Sequence, residues 1–257
     1  MKKVLVICCL LAIASNVFAE SVYSYDLTKD LIIGSVSLGL GVSSIFITRS
    51  DNMASRNQVL HKDNVNAFDR LFMYEYNKPI DIASDIVLNS FMVLPVVSLA
   101  GNFKNSKAWI SYGIMYSESL LLVFGTCEAM KNSILRYRPF NYSGDIPPGK
   151  EGDYFKSFPS RHTAFAFVSA GFMTSTFFTE HPDSPWKIPL AVAAYTWAAG
   201  VGASRIISAN HFMSDVLVGA AIGSLYGYLI PILHVRKKQE NVVFTAVPNG
   251  FWVSCKL

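Results

Sequence analysis

Long apolar stretches, separated by short polar segments, dominate the chain. Six of them are nearly free of charge and lie at residues 31–48, 86–101, 108–130, 163–179, 188–203 and 216–235. A helix that crosses a bilayer needs about 20 apolar residues, with a range of roughly 17 to 25, so several of these stretches qualify and two are short. The pattern predicts an all-α fold, a polytopic membrane helical bundle. A soluble protein with buried helices is the alternative.

Composition supports the membrane prediction. Only 16% of the 257 residues are charged and 51% are hydrophobic, whereas soluble domains carry about 25% charged residues. The hydrophobicity excludes disorder, and 4 cysteines are too few for a disulfide scaffold. The net charge of +4 is mild, and we expect no nucleic-acid partner.

The first residues are typical of a secretory signal. Lys2 and Lys3 precede an apolar run at 4–14, and Val17-Phe18-Ala19 has the residue sizes expected before a cleavage point. We predict a signal peptide at 1–19, with an uncleaved anchor as the alternative. We then expect an N-terminal region at 20–81, a membrane domain at 82–235 and a basic tail at 236–257.

Basic residues indicate how the helices are oriented. Arg236 and its two neighbours follow the last stretch, and Lys104 and Lys107 precede the third, so both sites are expected in the cytoplasm. If the mature N-terminus is outside, one stretch must fail to span, and the Gly- and Ser-containing stretch 31–48 is the candidate. This gives five spans, or six with a retained anchor, and places the loops 131–162 and 204–211 outside.

Two polar regions are assigned no chemistry. The loop 49–81 balances five Lys or Arg against five acids, which is typical of a solvated face. In the tail, Pro248-Asn249-Gly250 separates two β-prone runs. Because Asn-Gly is a strong hairpin signal, we predict a short C-terminal β-hairpin.

The first of three polar clusters follows the third apolar stretch. Lys131 and Arg138 are seven residues apart and share a face if the helix that ends near Met130 continues towards Pro139. Two cations on one face bind an anion, and basic residues that mark a cytoplasmic helix end are the alternative. Glu128 lies three residues before Lys131, and we expect an ion pair that orients this lysine.

The second cluster, at residues 157–163, stands directly before an apolar helix. Ser160 and the backbone N–H groups of the helix start form an anion site, since helix N-termini present unpaired donors. His162 is a candidate acid or base near neutral pH. The alternative is an N-cap followed by an interfacial histidine.

The third cluster comprises Ser204-Arg205, His211 and Asp215. On a helix, a carboxylate four residues from His211 reaches one imidazole nitrogen and leaves the other free, as in a nucleophile held by an orienting group. A metal site is the competing interpretation. We predict no metal, because the clusters also carry four cations that suit a phosphate better: Lys131, Arg138, Arg161 and Arg205.

Together the clusters resemble the signature of the type 2 phosphatidic acid phosphatase (PAP2) superfamily, which includes lipid phosphatases, bacterial class A acid phosphatases and vanadium haloperoxidases. The family pattern is Lys, six residues and Arg-Pro; then Pro-Ser-Gly-His; then Ser-Arg, five residues, His, three residues and Asp. The chain matches with Lys131 and Arg138-Pro139, with Pro159-Ser160-Arg161-His162, and with Ser204-Arg205, His211 and Asp215. The resemblance covers roughly 86–235.

One position departs from this pattern. Arg161 stands where the family has Gly. If the backbone there has a positive φ, an arginine carries a strain of about 1 kcal/mol or more. If the backbone is ordinary, Arg161 keeps the N–H and adds a cation.

The resemblance implies a metal-independent phosphatase without a cofactor, whose catalytic domain is the region 82–235. His211 would attack phosphorus, Asp215 would hold its ring, and His162 would protonate the leaving oxygen and then deprotonate water. The residues implied to bind the phosphate are Lys131, Arg138, Ser160, Arg161 and Arg205.

With the predicted membrane helices, the expected substrate is a phosphorylated membrane lipid of the phosphatidic acid, phosphatidylglycerophosphate, polyprenyl diphosphate or lipid A type. The expected location is a bacterial-type cytoplasmic membrane, with the site facing the periplasm or exterior, and the expected partners are the lipid and the bilayer. Three alternatives remain: a secreted class A-type acid phosphatase acting on soluble monoesters, a haloperoxidase that needs bound vanadate, and a non-enzymatic membrane protein.

Overall fold

A computed structural model describes most of the chain. It covers residues 22–23, 26–46, 60–95, 106–143, 147–148, 150, 153–236, 241–247 and 250–256. The predicted signal peptide at 1–19 and the polar turn at Lys104 lie outside these ranges.

The described residues form a helical bundle. Its α-helices are α1 (Leu27–Phe46), α2 (Ala67–Arg70), α3 (Lys78–Phe91), α4 (Ser106–Ser133), α5 (Arg161–Glu180), α6 (Lys187–Ile207) and α7 (Met213–His234). Short 3-10 turns lie at Lys62–Asn64 and Pro139–Ser143. The tail contains two antiparallel strands, β1 (Asn241–Val247) and β2 (Gly250–Lys256), with Val247 opposite Gly250. The predicted all-α membrane bundle is confirmed.

Three helices in the described ranges are long and apolar enough to cross a membrane: Trp109–Ser133 within α4, and all of α6 and α7. Large apolar side chains on their outer faces are exposed, such as Trp197, Leu217 and Leu225, as expected for contact with lipid. Hydropathy along the chain had indicated five or six spans. Of the other predicted spans, α3 has 14 described residues, and α5 is rich in Ser and Thr that protein buries. Residues 96–101 of the second apolar stretch lie outside the described ranges, so the number of spans stays a prediction.

Helix α5 is the centre of the bundle and packs against α3, α4, α6 and α7. Thirteen of its twenty residues are buried. Its partner α7 meets it through three glycines spaced four residues apart. A Cβ at Gly219, Gly223 or Gly227 would lie only 2.2–2.4 Å from a backbone oxygen of Ser160, Ala164 or Val168, respectively. The two backbones are therefore in direct contact, and their N-terminal ends are held side by side.

The two N-terminal ends are also joined by hydrogen bonds. The backbone N–H of Ser160, the N-cap of α5, donates to the carbonyl of Asp215 in the first turn of α7 at 3.0 Å. A positive φ of 57° at Ala209 turns the chain between α6 and α7. Two of the three polar clusters predicted from sequence are thereby brought together.

Candidate active site

Polar side chains from several helix ends surround a cavity at one end of the bundle. Its volume is about 160 Å³, far more than the ~10–15 Å³ that one water needs. It is lined by Asp85, Glu128, Lys131, Arg138, Lys150, Asp153, Lys156, Arg161, His162, Arg205 and His211. Six of these residues are Lys or Arg and three are acids, so the lining carries a net charge of +3 when both histidines are neutral. Such a cavity favours a multivalent anion.

His211 lies in the loop between α6 and α7 and is only 2% exposed. Its Nδ1 is 2.6 Å from the carbonyl oxygen of Ser157. Because a carbonyl only accepts hydrogen bonds, Nδ1 carries the proton and Nε2 of the neutral ring keeps its lone pair. Burial, and then the charges of Arg138 and Lys131, hold the pKa of His211 well below its usual value. The ring is therefore neutral at neutral pH, as a nucleophile requires.

Asp215 is completely buried and contacts this loop in a different way from the one predicted. Its Oδ2 is 3.7 Å from Nδ1 of His211, which is too long for a hydrogen bond. The same oxygen accepts from the Ser157 hydroxyl at 2.6 Å and from the Phe212 N–H at 2.8 Å. Asp215 thus fixes the start of α7 and the Ser157 segment, and the Ser157 carbonyl takes the orienting position that the sequence had suggested for Asp215.

Behind Asp215, a buried ion network continues to Asp69. Arg136 pairs with Asp215 and also with Asp69, at 2.5 Å for the latter. Asp69 accepts from the backbone N–H and the hydroxyl of Ser214, both at 2.8 Å. The sequence interpretation of 49–81 as a solvated face is wrong here, because Asp69 is completely buried and fixes the start of α7.

His162, in the first turn of α5, lies at the cavity with its Nε2 2.9 Å from Oδ1 of Asp85 on α3. Burial lowers the pKa of His162, the hydrogen bond to Asp85 opposes this, and the charge of Arg205 lowers it further. The same hydrogen bond lowers the pKa of Asp85. The pair therefore consists of a neutral imidazole and a carboxylate when no anion is bound.

Lys131 and Arg138 both reach the cavity, although no continuous helix joins them. Helix α4 ends at Ser133, so the condition for a shared helix face, a continuation towards Pro139, is not met. The chain beyond is extended, and Arg136 forms a parallel bridge with Lys156. Lys131 Nζ donates to the Lys156 carbonyl at 2.8 Å. Arg138 is held by Asp153 at 3.0 Å through its Nε and the carbonyl.

Burial lowers the pKa of Arg138 to about 10, against the opposing charge of Asp153. Arg138 therefore remains charged at neutral pH. Its neighbour Arg205, in the last turn of α6, is 2% exposed and its Nε is buried without a hydrogen-bond partner. An unpaired buried guanidinium donor at a cavity is typical of a group that binds an anionic ligand.

Asp81, from the start of α3, positions Arg205. Its carboxylate is 2.8 Å from Arg205 and 2.7 Å from Lys150. Burial alone would raise the pKa of Asp81, but the hydrogen bond from Lys150 and the charge of Arg205 lower it. Asp81 belongs to the loop 49–81, which was predicted to be a solvated face. Because Asp81 is buried, that prediction is wrong for Asp81 as well as for Asp69.

Arg161 is the first residue of α5 and has an ordinary backbone, since the only positive φ at a described non-glycine residue is at Ala209. Its guanidinium pairs with Glu128 and lies 5.7 Å from the centre of the Phe124 ring. Glu128 was expected to pair with Lys131, and that expectation is wrong. Arg161, which stands where the family has Gly, therefore pairs with Glu128, and both residues line the cavity at its rim.

Ser160 does not line the cavity, unlike the other residues predicted to bind phosphate. Its hydroxyl lies 2.8 Å from Thr163 Oγ1 and accepts from the Thr163 N–H at 3.4 Å as the N-cap of α5. Its side chain is completely buried. The structure thus places Ser160 beneath the site, where it caps the N-terminus of α5.

Residues 112–239 match the family model described as "PAP2 superfamily". The chain belongs to the PAP2 superfamily. The matched region contains all three polar clusters, and it ends before β1.

Two curated proteins are similar to the PAP2 region. One is "Lipid A 1-phosphatase" from Porphyromonas gingivalis, 38% identical over 125 residues, or 48% of this chain and 24% of the relative. The other is "Probable diacylglycerol pyrophosphate phosphatase 1" from Schizosaccharomyces pombe, 31% identical over 83 residues, or 30% of each chain. The chain therefore spans about a quarter to a third of the length of these relatives.

One solved structure is also similar to the chain. It is that of "the first transmembrane PAP2 type phosphatidylglycerolphosphate phosphatase from Bacillus subtilis". The TM-score is 0.49 at 21% identity, with 83% of this chain and 99% of that chain covered.

The three PAP2 motifs therefore contribute six residues to the lining of one cavity, but several acids and cations around them were missed. Those acids and cations are Asp69, Asp81, Asp85, Arg136, Lys150, Asp153 and Lys156. Arg136 lies between the first motif's Lys131 and Arg138, and the others lie outside the motifs. Asp69 and Asp81 come from the segment 49–81, whose charges are balanced. A signal did exist for two of them, because Asp81 and Asp85 are four residues apart at the start of an apolar stretch and so share a helix face.

Proposed function

We propose that the chain is a PAP2 phosphatase that removes phosphate from a membrane lipid through a phosphohistidine on His211. The observation that carries this proposal is the state of His211. It is buried and neutral, its Nδ1 proton is committed to the Ser157 carbonyl, and it lines a cavity with an excess of cations. A fixed imidazole that keeps an Nε2 lone pair beside an anion site is suited to attack on phosphorus.

The reaction proceeds in two balanced steps. In the first, Nε2 of His211 forms a bond to phosphorus while the bond from phosphorus to the leaving oxygen breaks, and His162 gives that oxygen a proton. In the second, water attacks phosphorus, His162 takes the proton of the water, and the N–P bond breaks to release phosphate. A general acid and base of this kind contributes about 10²- to 10⁴-fold in rate.

His162 must be protonated for the first step, although its pKa is lowered in the free protein. A phosphate dianion in the cavity supplies the missing negative charge and raises the pKa of His162. Asp85 stabilises the same protonated form across 2.9 Å. Substrate binding and protonation of the general acid are therefore coupled.

Lys131, Arg138 and Arg205 would bind the non-bridging oxygens, whose charge in the transition state is what the protein must stabilise. Arg161 would add a weaker contact from the rim, because it already pairs with Glu128. Ser160 would act indirectly, by capping the N-terminus of α5 so that the first N–H groups of the helix face the site. No step requires a metal ion, and a lining with a net charge of +3 would repel one.

A lipid substrate is favoured by the position of the cavity among the spans. The candidate spans in α4 and α6 end at this side of the bundle, and the span in α7 begins there. The cavity therefore lies near the edge of the bilayer, where a phosphate headgroup is presented while its tails stay in the lipid. We further propose that this edge faces the periplasm or exterior of a bacterial-type membrane, that 1–19 is the signal peptide and that 82–235 is the catalytic unit.

The test is phosphate release from mixed micelles that contain a diacylglycerol phosphate, phosphatidylglycerophosphate, undecaprenyl diphosphate or lipid A. We expect release from at least one of them in excess EDTA, inhibition by vanadate, and a loss of at least about 10³-fold in His211→Ala. His61→Ala is the matched control, because His61 is exposed and is not among the residues that line the cavity. Wild-type activity in folded His211→Ala, or a strict need for a divalent ion, contradicts the proposal.

The intermediate is tested separately by rapid quenching with a substrate labelled in its phosphate. We expect label bound covalently to the wild-type chain and none bound to His211→Ala. Activity without any covalent label, in a variant series that still depends on His211, would point to direct attack by water.

A further inference from the structure

A second cluster of ionisable side chains lies away from the cavity. It brings together Asp30 in the first turn of α1, Glu118 in α4 and His234, the last residue of α7. One ligand atom of each lies within 4.8 Å of the others. At about 1.5 Å of rise per residue, His234 and Asp215 are separated by roughly 28 Å along α7, so this cluster is independent of the proposed active site.

The two carboxylates lack adequate partners. Their side chains are only 8% and 9% exposed, for Glu118 and Asp30 respectively. Glu118 Oε2 and Asp30 Oδ2 are buried without a hydrogen-bond partner. Among the described residues, His234 is the one base within 4 Å of either carboxylate. Buried acceptors without donors are costly.

His234 is oriented like a metal ligand. Its Nδ1 is 2.9 Å from the carbonyl oxygen of Ile230, so Nδ1 carries a proton. Nε2 faces the carboxylates, at 2.7 Å from Asp30 Oδ1 and 3.5 Å from Glu118 Oε2. In a neutral ring Nε2 is itself an acceptor, and three acceptors then face one another. A backbone carbonyl on the other ring nitrogen is the support typical of a metal-ligating histidine.

The charge of the cluster calls for a cation or a proton between the carboxylates. With two carboxylates the cluster carries −2 when the ring is neutral and −1 when it is an imidazolium, inside a membrane domain where unpaired charge is expensive. A carboxyl proton shared by Asp30 and Glu118 is the competing neutral state, and the measured metal content distinguishes the two. A divalent cation on the neutral ring and two carboxylates leaves no net charge. It also gives each orphaned oxygen a partner.

We propose that Asp30, Glu118 and His234 bind one divalent transition-metal cation, with Zn²⁺ or Mn²⁺ suited to a set of one nitrogen and two oxygen donors. The ligand distances require little rearrangement. Two ligands of a tetrahedral Zn²⁺ site lie about 3.3 Å apart at bond lengths near 2.0–2.1 Å, so the His234–Glu118 spacing fits and the His234–Asp30 spacing must open slightly. The ion would clamp α1 to α4 and α7 and so stabilise the fold without taking part in the phosphatase reaction.

The experiment measures bound metal and thermal stability in the full chain purified in detergent. The protein is stripped with a chelator, dialysed against Zn²⁺ or Mn²⁺, and its metal content determined by elemental mass spectrometry. We expect about one equivalent per chain and an unfolding temperature that rises with metal concentration. Glu118→Gln, which keeps the side-chain shape, should weaken binding by at least about tenfold, a loss typical even for an outer partner of a metal ligand.

His234→Ala should lose the ion as well, and Glu118→Gln remains the decisive variant if His234→Ala does not fold. His211→Ala is the matched control and should keep the full equivalent, since it alters only the cavity at the other end. Less than half an equivalent in the wild type, or equal metal content in the wild type and Glu118→Gln, overturns the proposal. Loss of the ion from His211→Ala also overturns it, because the ion would then belong to the active-site end.

Discussion

The contact between α5 and α7 makes Gly223→Ala the sharpest test of the structure. A Cβ at Gly223 would lie 2.2 Å from the Ala164 carbonyl oxygen and 2.8 Å from the Val168 nitrogen. Both are backbone atoms, so no side chain can rotate away. To restore an ordinary contact of 3.4 Å, the helices must separate by about 1.2 Å.

The size of the effect follows from this displacement. Overpacking of a close contact costs about 1–3 kcal/mol, and the better helix propensity of alanine returns up to about 1 kcal/mol of that. His211 stands just before α7 and His162 at the start of α5, so separation of the helices also displaces the two proposed catalytic groups. A misplacement near 1 Å costs about 10²-fold in rate. We expect Gly223→Ala to lose both stability and most of its phosphatase activity.

Thermal unfolding in detergent and phosphate release from micelles measure the two effects. Gly200→Ala is the control, because Gly200 lies in α6 with nothing within 4 Å of its added Cβ. We expect that variant to be as active as the wild type and equally or slightly more stable. If Gly223→Ala matches Gly200→Ala in both measurements, the direct backbone contact and the reasoning from it are wrong.

Three further predictions concern the site. Asp85→Asn removes the group that raises the pKa of His162, so the pKa seen by NMR should fall and the alkaline limb of the rate should move to lower pH; an unchanged profile contradicts the pairing. Arg161→Gly should raise KM by less than about fivefold, because an exposed pair is worth about 0–1 kcal/mol; a loss of 10² in kcat would mean that Arg161 touches the reacting group. The pKa of His211 is lowered in the folded protein, so below about pH 6.5 the unfolded chain binds a proton at this residue and the folded chain does not. The free energy of unfolding should therefore fall as the pH drops below that value. Thermal unfolding against pH checks this, and the slope should shrink in His211→Asn.

The residues around the cavity differ in how far the sequence revealed them. Lys131, Arg138, His162, Arg205 and His211 carry chemistry that is recognisable at fixed spacings, and all five line the cavity. The partner of each was harder to predict. Glu128 was assigned to Lys131 from its helical spacing, but it pairs with Arg161 on another helix, because packing brought that cation closer than the helix's own neighbour.

The partners of three aspartates could not be predicted from the sequence either. Asp69, Asp81 and Asp85 precede the motifs by tens of residues, and the first two belong to the segment 49–81, whose charges are balanced. They are bound to Arg136, Arg205 and His162 across the bundle. The sequence pattern shows only the composition of each segment. The ion pairs between remote residues depend on which segments contact one another in the fold.

The class of the protein follows from its sequence, because apolar stretches of membrane length and the spacing of Lys, Arg, His and Asp are local properties of the chain. How those groups are held follows from the packing of the helices. Three glycines on α7 allow backbone contact with α5, and the Ser157 carbonyl, rather than Asp215, accepts the hydrogen bond from His211 Nδ1. Both depend on angstrom-scale distances between residues remote in sequence, and these distances are set by the packing of whole helices.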